Sequence, residues 1–155
     1  ELNLMRSDVL NSSSNSYGQV VDKWKFSAKT ADFTAADGFC YLITKVDGCD
    51  VTLPAPTVGA KIKLVFGAVT SNAHTVTCDA TTTLFSGYAL LGDTLDGTAA
   101  QHAPFAADET DDDAMSMNGT TTGNGGVVEL TGISDKMWQV EAVLYASGTV
   151  ATPFA

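Results

Sequence analysis

The sequence predicts an all-β protein: a β-sandwich or jelly-roll-like barrel of about seven to nine short strands with an extended N-terminal arm. Two observations lead to this class. Apolar and polar residues alternate with a period of two in several stretches, which is typical of half-buried strands. Turn-forming residues, including 14 glycines, separate these stretches at short intervals. No stretch has a clear 3.6-residue period, so helices are not expected.

The strand pattern is clearest in two places. In Lys61–Phe66, the apolar residues Ile62, Leu64 and Phe66 alternate with lysines and valine, so they are expected to face the core. Residues 136–145 behave in the same way. The residues predicted to share one face there are Trp138, Val140, Ala142 and Leu144.

Turn residues suggest how some strands are connected. Asp47-Gly48 has the composition of a two-residue hairpin turn, which predicts that residues 39–46 pair with residues 49–53. Gly123–Gly126 is also expected to be a hairpin turn. It is not expected to bind phosphate, because a strand-like segment follows it where a phosphate loop would open a helix. Residues 79–126 have only short β-prone pieces and are expected to be irregular.

We divide the chain into an N-terminal arm, residues 1–16, and a single β domain, residues 17–155. The arm ends in a polar tether, Asn11–Ser16. Its apolar residues are expected to form an interface: Leu2, Leu4, Met5, Val9 and Leu10. Either they dock on a neighbouring subunit, or they pack on their own domain or stay disordered. The apolar tail, Val150–Ala155, also needs cover, so the two ends together predict a homo-oligomer.

Composition excludes several partners. The net charge is −10, and only eight lysines and arginines are scattered along the 155 residues. Nucleic acids and anionic membranes are bound by clustered cations, so neither partner is expected. No apolar run approaches the roughly 20 residues of a transmembrane helix.

The residues that commonly carry catalysis are sparse. Neither His74 nor His102 has a second histidine or a cysteine at zinc-ligand spacing. His74 lies in a strand pattern, which predicts a hydrogen-bonded structural histidine. We therefore expect no catalytic residues, no cofactor and no enzyme activity.

The cysteines and the acidic residues are also expected to have structural roles. The odd number of cysteines and the hairpin register argue against a disulfide, so Cys40, Cys49 and Cys78 are expected to be reduced and buried. The acidic stretch 108–113 could offer oxygen ligands to Ca²⁺, but it lacks the spacing of an EF-hand. A solvated loop without a metal is the prediction.

Several segments resemble a known group of proteins. Val51–Gly59, followed by Lys61–Phe66 and Ala73–Val76, is similar to β-rich structural proteins of tailed bacteriophages, especially marine ones. The segments from Val127 to Gly132 and from Trp138 to Val140 are similar to the end of those proteins. This resemblance implies a virion structural protein. It covers about two-thirds of the chain and leaves out the arm and residues 84–115.

One compact domain with one arm resembles the capsid decoration, or cement, proteins among them. Those proteins are small, β-rich and commonly trimeric, and they sit on the shell where major capsid protein subunits meet. The resemblance therefore implies a homotrimer that binds the major capsid protein on the capsid surface. Two other classes stay open: a tail fibre or spike tip domain that binds a host receptor or glycan, and an enzyme such as a depolymerase.

Overall fold

A computed structural model describes residues 24–93 and 102–155, and it confirms the all-β class. Within these residues there is no helix, and eleven strands form two sheets, consistent with a β-sandwich. No helix that could span a bilayer is found in the same residues. The predicted arm and its boundary with the domain lie outside them. The strands are β1 (Lys25–Lys29), β2 (Phe33–Thr34), β3 (Phe39–Ile43), β4 (Asp50–Thr52), β5 (Lys61–Phe66), β6 (His74–Thr77), β7 (Leu84–Asp93), β8 (His102–Ala106), β9 (Ala114–Met117), β10 (Gly125–Gly132) and β11 (Met137–Ala146).

The first six strands wind between the two sheets. The large sheet has the order β1-β3-β5-β10-β11-β7-β8, and the small sheet has the order β2-β4-β6-β9. In the large sheet, β1 pairs in parallel with β3, and β3 with β5. In the small sheet, β2 pairs in parallel with β4, and β4 with β6. Each connection therefore crosses from one sheet to the other, and the core fills the space between them.

The predicted hairpin at Asp47-Gly48 is wrong. β3 lies in the large sheet and β4 in the small sheet, so residues 44–49 form a crossing. Gly48 has a φ of 93°, which suits the turn in either arrangement. Alternation shows which side of a strand is buried, but it does not show which sheet the strand joins.

Side chains from neighbouring turns hold these crossings together. Asp32 Oδ1 accepts hydrogen bonds from the Asp50 backbone N–H at 2.9 Å and from Lys45 Nζ at 2.7 Å. Asp37 Oδ1 accepts a bond from the Lys61 N–H at 2.7 Å. Asp50 and Lys61 are the first residues of β4 and β5, so these carboxylates bind backbone N–H groups where the chain enters each strand.

The predicted inward faces of the two clearest strands are confirmed. Ile62, Leu64 and Phe66 are buried on β5, and the four predicted residues of β11 are buried opposite the small sheet. Trp138 is fully buried, and its indole N–H donates to the Pro54 carbonyl at 3.2 Å. This bond satisfies the one polar atom of the largest buried side chain.

The region predicted to be irregular contains the longest pairing of the fold. β7 runs for ten residues and pairs in parallel with β11 along its whole length. Gly87 lies within β7 with a φ of 102°. A Cβ atom at Gly87 would collide with the Val140 carbonyl oxygen. The glycine therefore permits the close approach of the two strands and does not end one of them.

The C-terminal tail is not a free apolar surface. Phe154 is buried, with its ring centroid 6.3 Å from that of Phe85. Ala155 and Ala114 exchange backbone hydrogen bonds of 2.9 and 3.0 Å, which places the tail beside β9. The expectation that this tail needs cover from another chain is wrong, because it packs on its own domain.

Replacing Gly87 with alanine should destabilise the domain more than replacing Gly38. Both glycines have a positive φ, but only at Gly87 does the added Cβ meet a neighbouring strand. Gly38→Ala should cost about 1–2 kcal/mol from backbone strain alone. Gly87→Ala should cost about 1–3 kcal/mol more, from overpacking. Chemical denaturation measures both; equal losses would show that β7 and β11 are not this close.

Candidate protein-interaction surface

The outer face of the large sheet, the face turned away from the small sheet, carries an unbroken line of apolar residues. Each of its seven strands contributes one member, and every member is the register partner of the next. Register partners on one face lie within side-chain contact distance, so the line is continuous. We call it the apolar row; its members, in order across the sheet, are Ala28, Leu42, Val65, Val127, Val143, Leu90 and Pro104.

Much of this line is accessible to solvent. Val143 is 63% exposed, and Leu42 and Leu90 are also exposed. Phe26 and Tyr88 belong to the adjacent line of outward side chains, and they are 69% and 48% exposed. Single exposed apolar residues are ordinary, but contiguous ones usually mark a contact surface.

A shallow cavity of about 160 Å³ lies beside the apolar row. It is lined by Tyr88, Val127, Glu129, Glu141, Ala142 and Val143. Glu129 and Glu141 are register partners on neighbouring strands, an arrangement in which like charges repel. Lys63 Nζ contacts Glu129 Oε1 at 2.6 Å, and this hydrogen bond raises the pKa of Lys63. No described residue forms an ion pair with Glu141. An aromatic ring, apolar walls and an unpaired carboxylate together could receive a cationic side chain.

A second cavity, of about 110 Å³, marks where the described chain begins. Trp24 lines it together with Lys61, Glu129 and Thr131, whose side chains belong to the outer face. The described chain therefore begins on this side of the large sheet.

The edges of the large sheet are poorly suited to strand addition. β1 carries lysines at both ends, Lys25 and Lys29, and β8 contains Pro104, which has no N–H to donate. Contact through the outer face is therefore more favourable than contact through an edge.

His74 is a structural histidine, as predicted. It is fully buried, Nδ1 accepts a hydrogen bond from the Cys49 N–H, and Nε2 lies 3.1 Å from the Gly67 carbonyl oxygen. These partners require a neutral ring with its proton on Nε2. Burial lowers the pKa of His74, outweighing the Gly67 bond. The ring therefore joins the start of β6 to the two connecting segments that contain Cys49 and Gly67, and it is inaccessible to a substrate. His102 lies exposed on the edge strand β8.

The three cysteines are free and buried, as predicted. Cys40 lies on β3, Cys49 precedes β4, and Cys78 follows β6. The prediction of free cysteines is therefore correct, although the hairpin register that was one of its two arguments is wrong. Burial raises the pKa of all three thiols, that of Cys78 to about 12.

The acidic stretch 108–113 is a loop, as predicted; Asp108 and Asp111 are exposed, and Asp112 and Asp113 are half-buried. Ligand atoms of Asp108, Asp111 and Asp112 lie within 4.8 Å of one another. Asp108 Oδ1 accepts bonds from Thr110 Oγ1 and the Thr110 N–H, which lower its pKa. The carboxylate of Asp108 thus orders its own turn, and hydrogen bonds within the loop account for the arrangement.

Gly123–Gly126 leads into β10, which confirms that a strand follows these glycines. The hairpin expected there is wrong, because β9 lies in the small sheet and β10 in the large one.

The comparisons with known proteins give no relative: no family model matches the sequence, and no curated protein matches it. The apolar row is the main feature of this candidate surface that the sequence did not predict. Its members are scattered from Ala28 to Val143, and only the register of strands distant in sequence aligns them. Their outward alternation was the one available indication.

Stability should fall as the pH drops below about 6.5, and His74 should cause part of that loss. Its folded-state pKa lies below the unfolded value of 6.5, so the unfolded state binds the proton more readily. The contribution is complete above pH 6.5 and is lost as the pH falls through the folded-state pKa. Urea titrations at several pH values should show this component in the wild type and not in His74→Asn.

His74→Asn should also lower the free energy of unfolding at neutral pH by about 1–3 kcal/mol, because Asn can keep the acceptor for Cys49 but loses the Gly67 bond. The two proteins share every carboxylate, so their difference isolates the histidine. Identical pH profiles would contradict the assignment of a buried neutral ring.

Thiol titration should find three reactive groups after denaturation without a reductant, and almost none in the folded protein at pH 8. The thiolate is the reactive form, and burial suppresses it at all three cysteines. One reactive group after denaturation would reveal an intrachain disulfide.

Proposed function

We propose that this protein is a virion structural protein of a tailed bacteriophage, a capsid decoration protein that binds and stabilises the outer surface of the head. The major capsid protein is the proposed partner, and the protein acts as a homo-oligomer, with a trimer expected. The observation that carries the proposal is the exposed apolar row on the outer face of the large sheet. The resemblance of residues 51–76 and 127–140 to phage structural proteins supports the choice of assembly.

The form of the surface supports a protein partner. The outer face is broad, the two cavities described on it are small and shallow, and its apolar residues lie in a line across seven strands. A small-molecule site normally encloses its ligand in a deeper cavity of about 300–1,000 Å³. A wide, partly apolar face is better matched to another protein surface, with the exposed charges around it forming a polar rim.

The proposed action is stabilisation by mass action. A protein that binds only the assembled shell lowers the free energy of that state relative to its dissociated subunits. Repeated contacts on one lattice then add through multivalency, so each contact can be weak. No catalytic step is needed, in keeping with a structural role for His74.

The alternative is a tail fibre or spike tip domain that binds a host receptor or glycan. The cavity beside Tyr88 favours it, because an aromatic ring can stack on a sugar while Glu129 and Glu141 accept hydroxyl hydrogen bonds. Binding of host surface polysaccharide that is lost in Tyr88→Ala, together with no binding to heads, would support this alternative.

Val143→Asp should weaken binding to undecorated phage heads by about tenfold or more, because it puts a charge at the most exposed valine of the apolar row, next to its central member Val127. Val58→Asp is the matched control: Val58 is 80% exposed and lies outside the large sheet. Co-sedimentation with heads measures both. The wild type should bind stoichiometrically; equal weakening by the two variants, or no binding by the wild type, would contradict the proposal.

A further inference from the structure

We propose that residues 1–10 of a neighbouring copy of this chain lie on the outer face, with their apolar residues on the apolar row and Arg6 in the cavity beside Glu141. This inference rests on the proposed function in one respect, that the protein works in several copies. It identifies the surface on which the predicted arm docks, and so the contact that forms the oligomer.

The position at which the described chain begins favours this occupant. Trp24 lies at the outer face near Lys61 and Thr131, so the preceding segment attaches on the side that needs cover. β1 runs from Lys25 toward Ala28, its member of the apolar row. The described chain thus begins at the end of β1 away from the row. In the proposed arrangement, residues 1–10 lie away from their own row and reach a neighbouring copy.

The lengths agree. The apolar row crosses six inter-strand spacings, which make about 29 Å at about 4.8 Å each. An extended segment of ten residues reaches about 33–36 Å. Residues 11–23 then provide up to about 43 Å between the docked segment and Trp24, enough to reach an adjacent molecule.

Charge complementarity sets the position of the segment on the face. Arg6 is the only arginine of the chain, and Met5 and Val9 lie close to it in sequence. Glu141 has no ion-pair partner among the described residues, and it lines the cavity together with Tyr88. A guanidinium in this cavity would pair with the carboxylate and stack on the ring, and apolar residues on either side of Arg6 would contact Val143 and its neighbours.

A charge exchange tests the pairing. Arg6→Glu and Glu141→Arg should each weaken self-association by about fivefold, since each places like charges together. The double variant should recover most of the wild-type affinity. Sedimentation velocity measures the affinities at 50 and 500 mM salt, between which the Debye length changes roughly threefold. Lys136→Glu, a charge change outside the arm and the outer face, is the matched control. A double variant as weak as the single ones would overturn the pairing.

A mixing experiment tests whether the arm comes from a neighbour. One full-length variant carries Leu4→Asp and Leu10→Asp, which impair the arm, and the other carries Val143→Asp, which impairs the face. Alone, neither should associate at a concentration at which the wild type does. The mixture should associate, because it contains one intact arm and one intact face, as fluorescence anisotropy of a labelled copy would show.

Three results would overturn the proposal: a wild type that stays at 16.1 kDa at all concentrations, an arm variant that still self-associates at full strength, or a mixture that fails to associate. A wild type that stays monomeric would point to an arm that packs on its own domain. A wild type that associates while the mixture does not would point to the same arrangement or to another interface. Failure of the proposed function is a separate result. In that case the chains would self-associate through arm and face, but undecorated heads would not bind them.

Discussion

The register of the large sheet is the constraint on which the core and the outer surface both depend. A strand places successive side chains on opposite faces, so a pairing that directs Leu64, Val128 and Ala142 into the core directs Val65, Val127 and Val143 outward. A shift of one residue in any central strand would expose a buried residue and break the apolar row at that strand. The alignment of the outer apolar residues is therefore enforced by the packing of the core.

The small sheet and the connections serve to maintain this register. Because the first six strands alternate between the sheets, each strand position depends on a crossing, and side chains bind backbone N–H groups at the ends of several crossings. Asp32, Asp37 and His74 bind several of these donors and so fix the crossings. Gly87 permits the parallel pairing of β7 with β11, which brings Leu90 and Tyr88 next to Val143 and Glu141. The proposed contact surface thus depends on residues that lie far from it.

The alternation of apolar and polar residues correctly predicted those parts of the fold that depend on a single strand. β5 and β11 alternate cleanly, and their buried faces were correct to the residue. His74 was correctly predicted to be structural for the same reason, because it occupies an inward position of a short strand. The reduced cysteines followed from their number and from the tendency of thiols to be buried.

Features that depend on distant strands could not be predicted in this way. Asp47-Gly48 suits a hairpin and a crossing equally well, and the difference lies in which strands pair with β3 and β4. Gly87 resembles a strand breaker unless the close approach of Val140 is known. The tail resembled an exposed apolar segment because its neighbour, β9, lies almost 40 residues earlier in the chain. The apolar row was missed for the same reason, since its members come from seven strands.

Oxidative footprinting of side chains tests the central claim most directly, namely that the outer face of the large sheet is the contact surface. The protein would be labelled when dilute and again when bound to undecorated heads. Val143, Leu90 and Tyr88 should become protected on binding, while Val58 and Ile133, exposed outside that sheet, should stay as reactive as before. Protection of Val58 and Ile133 with unchanged reactivity of Val143 and Tyr88 would contradict it.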